Sequence, residues 1–276
     1  MHLPEQSKRK LLNRCLPGLL LALALVFESA PAAQAEPLSA AAAINKAGRQ
    51  RMLSQRVVKA YCQIGLNVAA GKSKGILEHS SSQFDAQLSE LKQYSDNAEI
   101  REALAKEEQI WGQVKLITGA PVSIDGAKRL IGLSEELLQA ADQATKLIEA
   151  TSSGKTGQLV NIAGRQRMLS QRLAKFYMLS KWGFKQPDIE KGIEQTKKEF
   201  ISAMAVLESS PQNTQQITQT LALARTQWEH FLLALHEHQS NGADTGATVL
   251  SAFASEHILE IMDKVTGLYE SQAAGR

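Results

Sequence analysis

The feature of this sequence that most constrains its fold is a stretch of ten residues that occurs twice. Ala47–Arg56 and Ala163–Arg172 are identical at all ten positions, and the copies are 116 residues apart. An asparagine, Asn45 or Asn161, stands two residues before each copy. A repeat of this length and fidelity indicates a duplicated structural unit. We therefore predict two copies of one domain.

Single matched positions continue the similarity outside the repeat. They are Lys59 and Lys175, Tyr61 and Tyr177, Phe84 and Phe200, Trp111 and Trp228, Glu135 and Glu256, and Asp142 and Asp263. These positions place the first unit at residues 36–151 and the second at residues 155–276.

Apolar residues recur at three- and four-residue steps between short clusters of helix-breaking residues, which is typical of α-helices. In the first unit the breaks fall at Gly71, at residues 95–97 and at residues 119–121. We predict an all-α protein made of two tandem antiparallel four-helix-bundle-like units related by a pseudo-twofold axis. The helices are predicted near residues 39–70, 74–95, 98–118, 123–150, 156–182, 188–208, 213–239 and 245–271.

Residues 1–35 are typical of an export signal. A basic start is followed by an apolar run from Cys15 to Phe27 and then by Ala33-Gln34-Ala35. A membrane-spanning helix needs roughly 20 apolar residues, and this run is shorter. We therefore expect cleavage after Ala35 and a periplasmic protein that does not span the membrane. Retention of the segment as an anchor is the alternative.

The charge and the cysteine content exclude several classes of function. The chain carries a net charge of +3, most of it in the export signal, so the mature protein has no bulk field for nucleic acid. Cys62 is the one cysteine after the signal and aligns with Met178, which favours a buried apolar role. The histidines lack the spacing of a metal site, and no serine has a histidine base nearby in sequence. We predict no enzyme activity, no cofactor and no metal.

The repeated segment is more polar than helix packing requires. Helix cores tolerate exchange among apolar residues, yet the same Arg, Gln and Ser residues occur in both copies. At 100° per residue, Gly48 is the centre of a polar face edged by Arg49, Arg51 and Arg56. A mid-helix glycine costs roughly 1 kcal/mol relative to alanine, which indicates a close approach by a backbone or a ligand. Guanidinium groups are suited to small oxyanions, so we predict an anion site.

Packing of the first helix against the fifth would bring Arg51 toward Arg167. Two cations about 7 Å apart repel by roughly 2 kcal/mol at an effective dielectric near 20, and a bound anion would reverse that sign. The alternative is structural: the arginines face solvent or pair with acids on the last helix of each unit. Those acids are Glu135, Asp142, Glu256 and Asp263.

The segment around Gly48 resembles the periplasmic P-box of NarX-type nitrate and nitrite sensor kinases. It resembles more closely the N-terminal domain of PilJ-type chemotaxis transducers. In the kinases a homodimer binds nitrate between paired first helices, through the arginine three residues after the motif glycine. The resemblance therefore implies ligand-binding roles for Asn45, Gly48, Arg51, Arg56, Asn161, Gly164, Arg167 and Arg172.

The sequence departs from the kinase pattern at Arg49, Gln50 and Gln55. The kinases carry small, apolar or aromatic residues at these positions. The PilJ-type version shares the departures, and the resemblance to it implies no particular ligand.

Together these features predict a periplasmic sensor or carrier for a small oxyanion, with nitrate or nitrite favoured. Because no kinase core or methylation region follows, any signal is expected to pass to a signalling or transport partner in the cell envelope. The alternative is an envelope interaction or scaffold protein, related to pili or chemotaxis, that uses the repeated helix as a docking seam.

Overall fold

Eight α-helices account for nearly all of residues 38–152, 155–240 and 245–275, which are the residues that the computed structural model describes. They are α1 (Ala40–Gly65), α2 (Ala70–Tyr94), α3 (Ala98–Thr118), α4 (Ile124–Ala150), α5 (Lys155–Lys181), α6 (Pro187–Glu208), α7 (Gln215–Ser240) and α8 (Thr245–Ala273). No strand occurs in the described ranges, and the predicted all-α class is confirmed. The predicted export signal lies outside the described residues.

Polar side chains fix the starts of three helices. Ser39 Oγ accepts a hydrogen bond from a first-turn amide of α1, Asn97 Oδ1 from two amides of α3, and Ser123 Oγ from an amide of α4. Caps of this kind contribute about 1 kcal/mol each. Pro187 opens α6, where its missing N–H is not needed.

The predicted helix bounds differ most from the structure at the end of α1. The prediction extended this helix to residue 70 with a break at Gly71, but α1 ends at Gly65 and α2 begins at Ala70. The turn between them places Asn67 and Ala69 in the left-handed region, at φ of 54° and 45°. Asparagine favours that conformation but alanine seldom adopts it, so Asn67 signals a turn there and Ala69 does not.

Helices α1 and α5 form the centre of the fold and pack against each other. In the first unit α1 also packs against α2 and α4, and α3 packs against α4. The second unit repeats this arrangement, with α5 against α6 and α8, and α7 against α8. The predicted packing of the first helix against the fifth is confirmed. The division at residues 151–155 stays a prediction from the repeat.

Both units contain the same stacked aromatic pair. Phe84 stacks on Trp111 with ring centroids 4.2 Å apart, and Phe200 stacks on Trp228 at 3.7 Å. Gln50 Nε2 donates to the main-chain oxygen of Phe84 at 3.0 Å, and the matching glutamine of α5 binds Phe200 at 2.9 Å. One glutamine of the repeated segment therefore has a structural role in each unit, because it ties the central helix to its neighbour.

Gly65 marks a close contact between the ends of α1 and α5. A Cβ atom at this position would lie 2.2 Å from the ring of Trp182. We expect Gly65→Ala to displace the ring and to lower the free energy of unfolding by about 1–3 kcal/mol. Gly75→Ala in α2 is the matched control, since nothing lies within 4 Å of its Cβ position. There alanine should raise the free energy of unfolding by about 0.5–1 kcal/mol. Urea unfolding measures both, and equal effects would contradict the close contact.

Glu107 places a carboxyl group in the core on α3. It is 1% exposed, and its Oε1 atom has no hydrogen-bond partner. Burial raises the pKa of Glu107 from 4.5 to about 8. Between these values the folded protein holds a proton that the unfolded chain has lost, so stability decreases as the pH rises through this range. We expect Glu107→Gln to raise the melting temperature more at pH 8 than at pH 5. An equal change at both pH values would argue against a protonated Glu107.

Candidate functional site

The two repeated segments face each other across the interface between α1 and α5. Their buried polar residues are Gln50, Arg51, Ser54 and Gln55 in α1, and Gln166, Arg167, Ser170 and Gln171 in α5. Arg51 is 1% exposed and Arg167 is 0% exposed. These two arginines therefore do not face solvent. The alternative prediction of solvent-facing arginines is wrong for Arg51 and Arg167.

Arg51 and Arg167 each bind an asparagine of the opposite unit. Nη2 of Arg51 donates to Oδ1 of Asn161 at 2.6 Å and to its main-chain oxygen at 3.3 Å. Nη2 of Arg167 donates to Oδ1 of Asn45 at 2.8 Å and to its main-chain oxygen at 3.3 Å. The two sets of contacts have the same form, as a pseudo-twofold axis between α1 and α5 requires.

Gly48 and Gly164 lie beside both guanidinium groups. A Cβ atom at Gly48 would be 3.2 Å from Nη2 of Arg51 and 3.8 Å from Nη2 of Arg167. At Gly164 the corresponding distances are 3.8 Å and 3.1 Å. Because the same two nitrogen atoms lie near both glycines, the guanidinium groups converge on one place in the interface. The glycines thus make room for the two arginine side chains.

Two carboxylates partly balance the converging charges. Nη1 of Arg51 lies 2.7 Å from Oδ1 of Asp142 on α4, and Nη1 of Arg167 lies 2.5 Å from Oδ1 of Asp263 on α8. Asp263 also pairs with Arg49 at 2.6 Å. These are ion pairs of the kind that the structural alternative proposed, so the two arginines have a structural role whether or not they bind a ligand.

The surroundings of Arg167 disfavour its positive charge. Burial lowers the pKa of Arg167 to about 10, and repulsion by Arg49 and Arg51 acts in the same direction, whereas Asp263 opposes the shift. Burial also lowers the pKa of Arg51 against the attraction of Asp142. The Nε atoms of both Arg51 and Arg167 are buried and have no hydrogen-bond partner. Converging cations with an unused donor on each are groups that an anion would satisfy.

A second cluster of charges joins α1 to α8. Lys59 and Arg56 both bind the carboxylate of Glu256. Lys59 is completely buried, and its Nζ also donates to Oε1 of Gln171 at 2.6 Å. Burial on its own would raise the pKa of Glu256, but the two cations lower it to about 2. Two cations of the first unit therefore share one acid of the second.

The matching cluster joins α5 to α4. Arg172 and Lys175 each lie 2.6 Å from the carboxylate of Glu135. Burial alone would raise the pKa of Glu135, but these two cations lower it below its usual value. The units thus exchange ion pairs in both directions, since each acid binds cations of the other unit's central helix.

The predicted ligand-binding residues fall into two groups. One group converges at the centre of the interface and consists of Asn45, Gly48, Arg51, Asn161, Gly164 and Arg167. The other group, Arg56 and Arg172, belongs to the two clusters around Glu256 and Glu135. The structure therefore brings together six of the eight predicted residues.

The lysines and acids that complete the clusters were not among the predicted ligand-binding residues. Their signal in the sequence is spacing: Lys59 and Lys175 keep the register of the repeat, and Glu135 matches Glu256 at an offset of 121 residues. Matched spacing shows that two positions are equivalent, but it does not show which helix each side chain contacts.

Cys62 is completely buried, and burial raises the pKa of its thiol to about 12. A thiol in this state is not nucleophilic, and the predicted buried apolar role is confirmed. Over the described residues, no group of three acidic, histidine or cysteine side chains is placed to hold a metal ion. Within those same ranges no helix has the length and apolar character needed to cross a membrane.

No curated protein and no solved structure matches this chain. A family model does match, that of PilJ, the type IV pili methyl-accepting chemotaxis transducer N-terminal domain, over residues 33–118 and 149–253. The first matched segment contains one copy of the repeat with helices α1 to α3, and the second contains the other copy with helices α5 to α7. Because the two segments cover more than half of the sequence, the chain belongs to the PilJ family of chemotaxis-transducer N-terminal domains.

Proposed function

We propose that this protein is a periplasmic sensor or carrier that binds one small oxyanion between α1 and α5, with nitrate or nitrite favoured. It acts without catalysis, through a partner protein of the cell envelope. The observation that carries the proposal is the convergence of Arg51 and Arg167 beside Gly48 and Gly164.

The two arginines have the chemistry that a planar oxyanion needs. Each guanidinium is a rigid planar donor, and paired N–H groups match the spacing of oxygen atoms in such an anion. An anion there would take the place of the Oδ1 atoms of Asn45 and Asn161, and it would offset the repulsion between the two cations. Because the site is buried, each of these electrostatic interactions is stronger than it would be in water.

The same geometry favours a small anion of single charge. Helices α1 and α5 pack directly against each other, so a large ligand would have to separate them. The carboxylates of Asp142 and Asp263 already bind the two arginines, and a second negative charge on the ligand would be repelled by both. Nitrate and nitrite meet these conditions better than sulfate does.

The resemblance to NarX-type sensors supports the choice of nitrate or nitrite. In those kinases two chains each contribute a first helix to the site. In this chain α1 and α5 are the corresponding pair, because the repeated segment occurs in both. One chain would therefore form the equivalent of a dimeric site.

An envelope interaction protein related to pili or chemotaxis is the second candidate, and the family match favours it. In this fold the repeated helices dock against each other, which buries most of their shared polar face. A partner protein would accordingly contact other surfaces of the bundle.

Isothermal titration calorimetry with nitrate, nitrite, sulfate and acetate tests the proposal. We expect nitrate or nitrite to bind with one anion per chain, because both arginines contribute to a single site. Sulfate should bind much more weakly. Absence of binding by all four anions to a folded protein would contradict the proposal and favour the second candidate.

A further inference from the structure

A cleft between α4, α5 and α6 breaks the symmetry of the two units. Its volume is about 450 Å³, which lies in the range of small-molecule sites. The apolar part of its lining includes Ile131, Phe176 and Ile189, and Arg172 contributes a guanidinium group. The other charged lining residues are Lys191 and the acids Asp188 and Glu135.

Two glycines shape this cleft. Gly132 on α4 has nothing within 4 Å of its Cβ position, so the space above it is free. Gly192 on α6 lies against the ring of Phe176, where a Cβ atom would approach to 2.6 Å.

The equivalent positions in the other half of the fold carry large side chains. Gly132 corresponds to Phe253 by the offset that relates Glu135 to Glu256, and Gly192 corresponds to Ile76 by the offset of the repeat. Lys72 covers the ring of Phe253, with its Nζ 4.2 Å from the ring centroid. The equivalent place in the other half therefore holds two side chains that the cleft lacks.

The arginines on the two sides also differ in how fully they are bound. Arg56 donates from Nε and Nη2 to Glu256 and from Nη1 to Ser80. Arg172 donates from Nη2 to Glu135, and its Nε is buried without a hydrogen-bond partner. On the open side the arginine thus keeps hydrogen-bonding capacity that its counterpart uses.

At the inner wall of the cleft one acid pairs with two cations, of which Arg172 lines the cleft and Lys175 is buried behind it. Arg172 and Lys175 share the single carboxylate of Glu135. Thr196, which corresponds to Ser80, donates to the main-chain oxygen of Gly192 at 2.6 Å and so leaves the arginine unbound on that side. A negatively charged group would balance the excess charge.

We propose that this cleft is a second ligand site, for a small amphiphilic carboxylate. The carboxylate group binds the guanidinium of Arg172, and the apolar body lies against Phe176, Ile131 and Ile189. The site is separate from the oxyanion site at Arg51 and Arg167, and it does not depend on that proposal.

Saturation-transfer NMR of the full chain with benzoate as the probe tests this inference. We expect benzoate to bind, and benzyl alcohol, which has the ring without the charge, to bind at least about tenfold more weakly. Millimolar nitrate should leave the benzoate signal unchanged. Equal binding of the alcohol, or no benzoate signal from the folded chain, would overturn the proposal.

Filling the cleft provides the matching variant test. Gly132→Phe places in α4 the side chain that Phe253 supplies in the other half, and we expect it to weaken benzoate binding by about tenfold or more. Gly132→Leu is a smaller filling variant that should act in the same direction. Gly75→Phe is the control. Gly75 is the counterpart of Lys191 in the other half and also has open space around it, so this variant should bind benzoate like the parent. Unchanged binding by the two Gly132 variants would refute the location.

Discussion

Replacement of Glu256 by glutamine is expected to lower the free energy of unfolding by about 3–5 kcal/mol, because it removes the one negative charge that pairs with two cations in the interior. Lys59 is completely buried, and both it and Arg56 bind this carboxylate. Glutamine has nearly the same volume as glutamate, so the loss reports on charge and not on packing. Urea unfolding at neutral pH measures it.

Two further variants calibrate this effect. Glu135→Gln removes the acid of the matching cluster and should act in the same direction with a smaller loss, since Glu135 is 29% exposed and Glu256 is 14% exposed. Glu108→Gln removes an exposed partner of Lys92 and should cost less than about 1 kcal/mol. If Glu256→Gln costs no more than Glu108→Gln, the cluster does not hold α1 and α8 together.

The same cluster makes stability depend on pH in acid. The pKa of Glu256 is lowered from 4.5 to about 2 in the folded protein. Its contribution to stability is therefore fully present above pH 4.5 and is lost as the pH falls toward 2, because the unfolded chain binds the proton first. Glu256→Gln should reduce this dependence over the same interval.

Replacement of either Arg51 or Arg167 by glutamine is expected to weaken nitrate binding by about 10- to 100-fold, the equivalent of one lost hydrogen-bonding interaction with a charged group. The double variant should lose little more, because neither arginine forms the site alone. Arg51→Lys should also bind poorly, since an ammonium group cannot reproduce the planar pair of donors. Calorimetric titration of the parent and the four variants gives these differences directly.

Arg49→Gln is the matched control for the binding experiment. Arg49 pairs with Asp263, as Arg167 does, and so contributes similar charge to the same region. It is not one of the two guanidinium groups that meet beside Gly48 and Gly164. Nitrate affinity should be nearly unchanged in this variant. An equal loss in Arg49→Gln would mean that general charge, and not the converging pair, determines binding.

The ion pairs of Arg51 and Arg167 predict that replacing either arginine costs less stability than Glu256→Gln. Without Arg51, Asp142 keeps Lys146 at 2.8 Å, and without Arg167, Asp263 keeps Arg49 at 2.6 Å. Each acid is also partly exposed to water. We therefore expect each arginine variant to lose less free energy of unfolding than Glu256→Gln, which removes the carboxylate that Lys59 and Arg56 share.

The helices and the pairing of α1 with α5 could be predicted because both depend on local patterns. Apolar periodicity predicted the positions of the helices, and the identical segments indicated which two helices have equivalent surroundings. Helix geometry then placed Gly48 and Arg51 near one face, and both are buried in the structure. The short turn before α2 was not predicted: Asn67 favours the left-handed conformation, but Ala69, which also adopts it, gives no such signal.

The ion-pair partners could not be predicted from spacing. Arg56 and Glu135 belong to the same unit of the sequence, yet Arg56 binds Glu256 of the other unit, and Glu135 binds Arg172. Which acid faces which arginine depends on how the two bundles join along α1 and α5. That arrangement is a tertiary property. The repeated sequence is equally consistent with ion pairs between the units and with ion pairs inside each unit.

A crystal structure of the protein grown with nitrate tests most directly the central claim that Arg51 and Arg167 hold one anion between α1 and α5. We expect a single planar anion within hydrogen-bond distance of both guanidinium groups, with the Oδ1 atoms of Asn45 and Asn161 moved away from them. An interface without an anion at saturating nitrate, in which Nη2 of each arginine still binds the asparagine of the opposite unit, would contradict the claim.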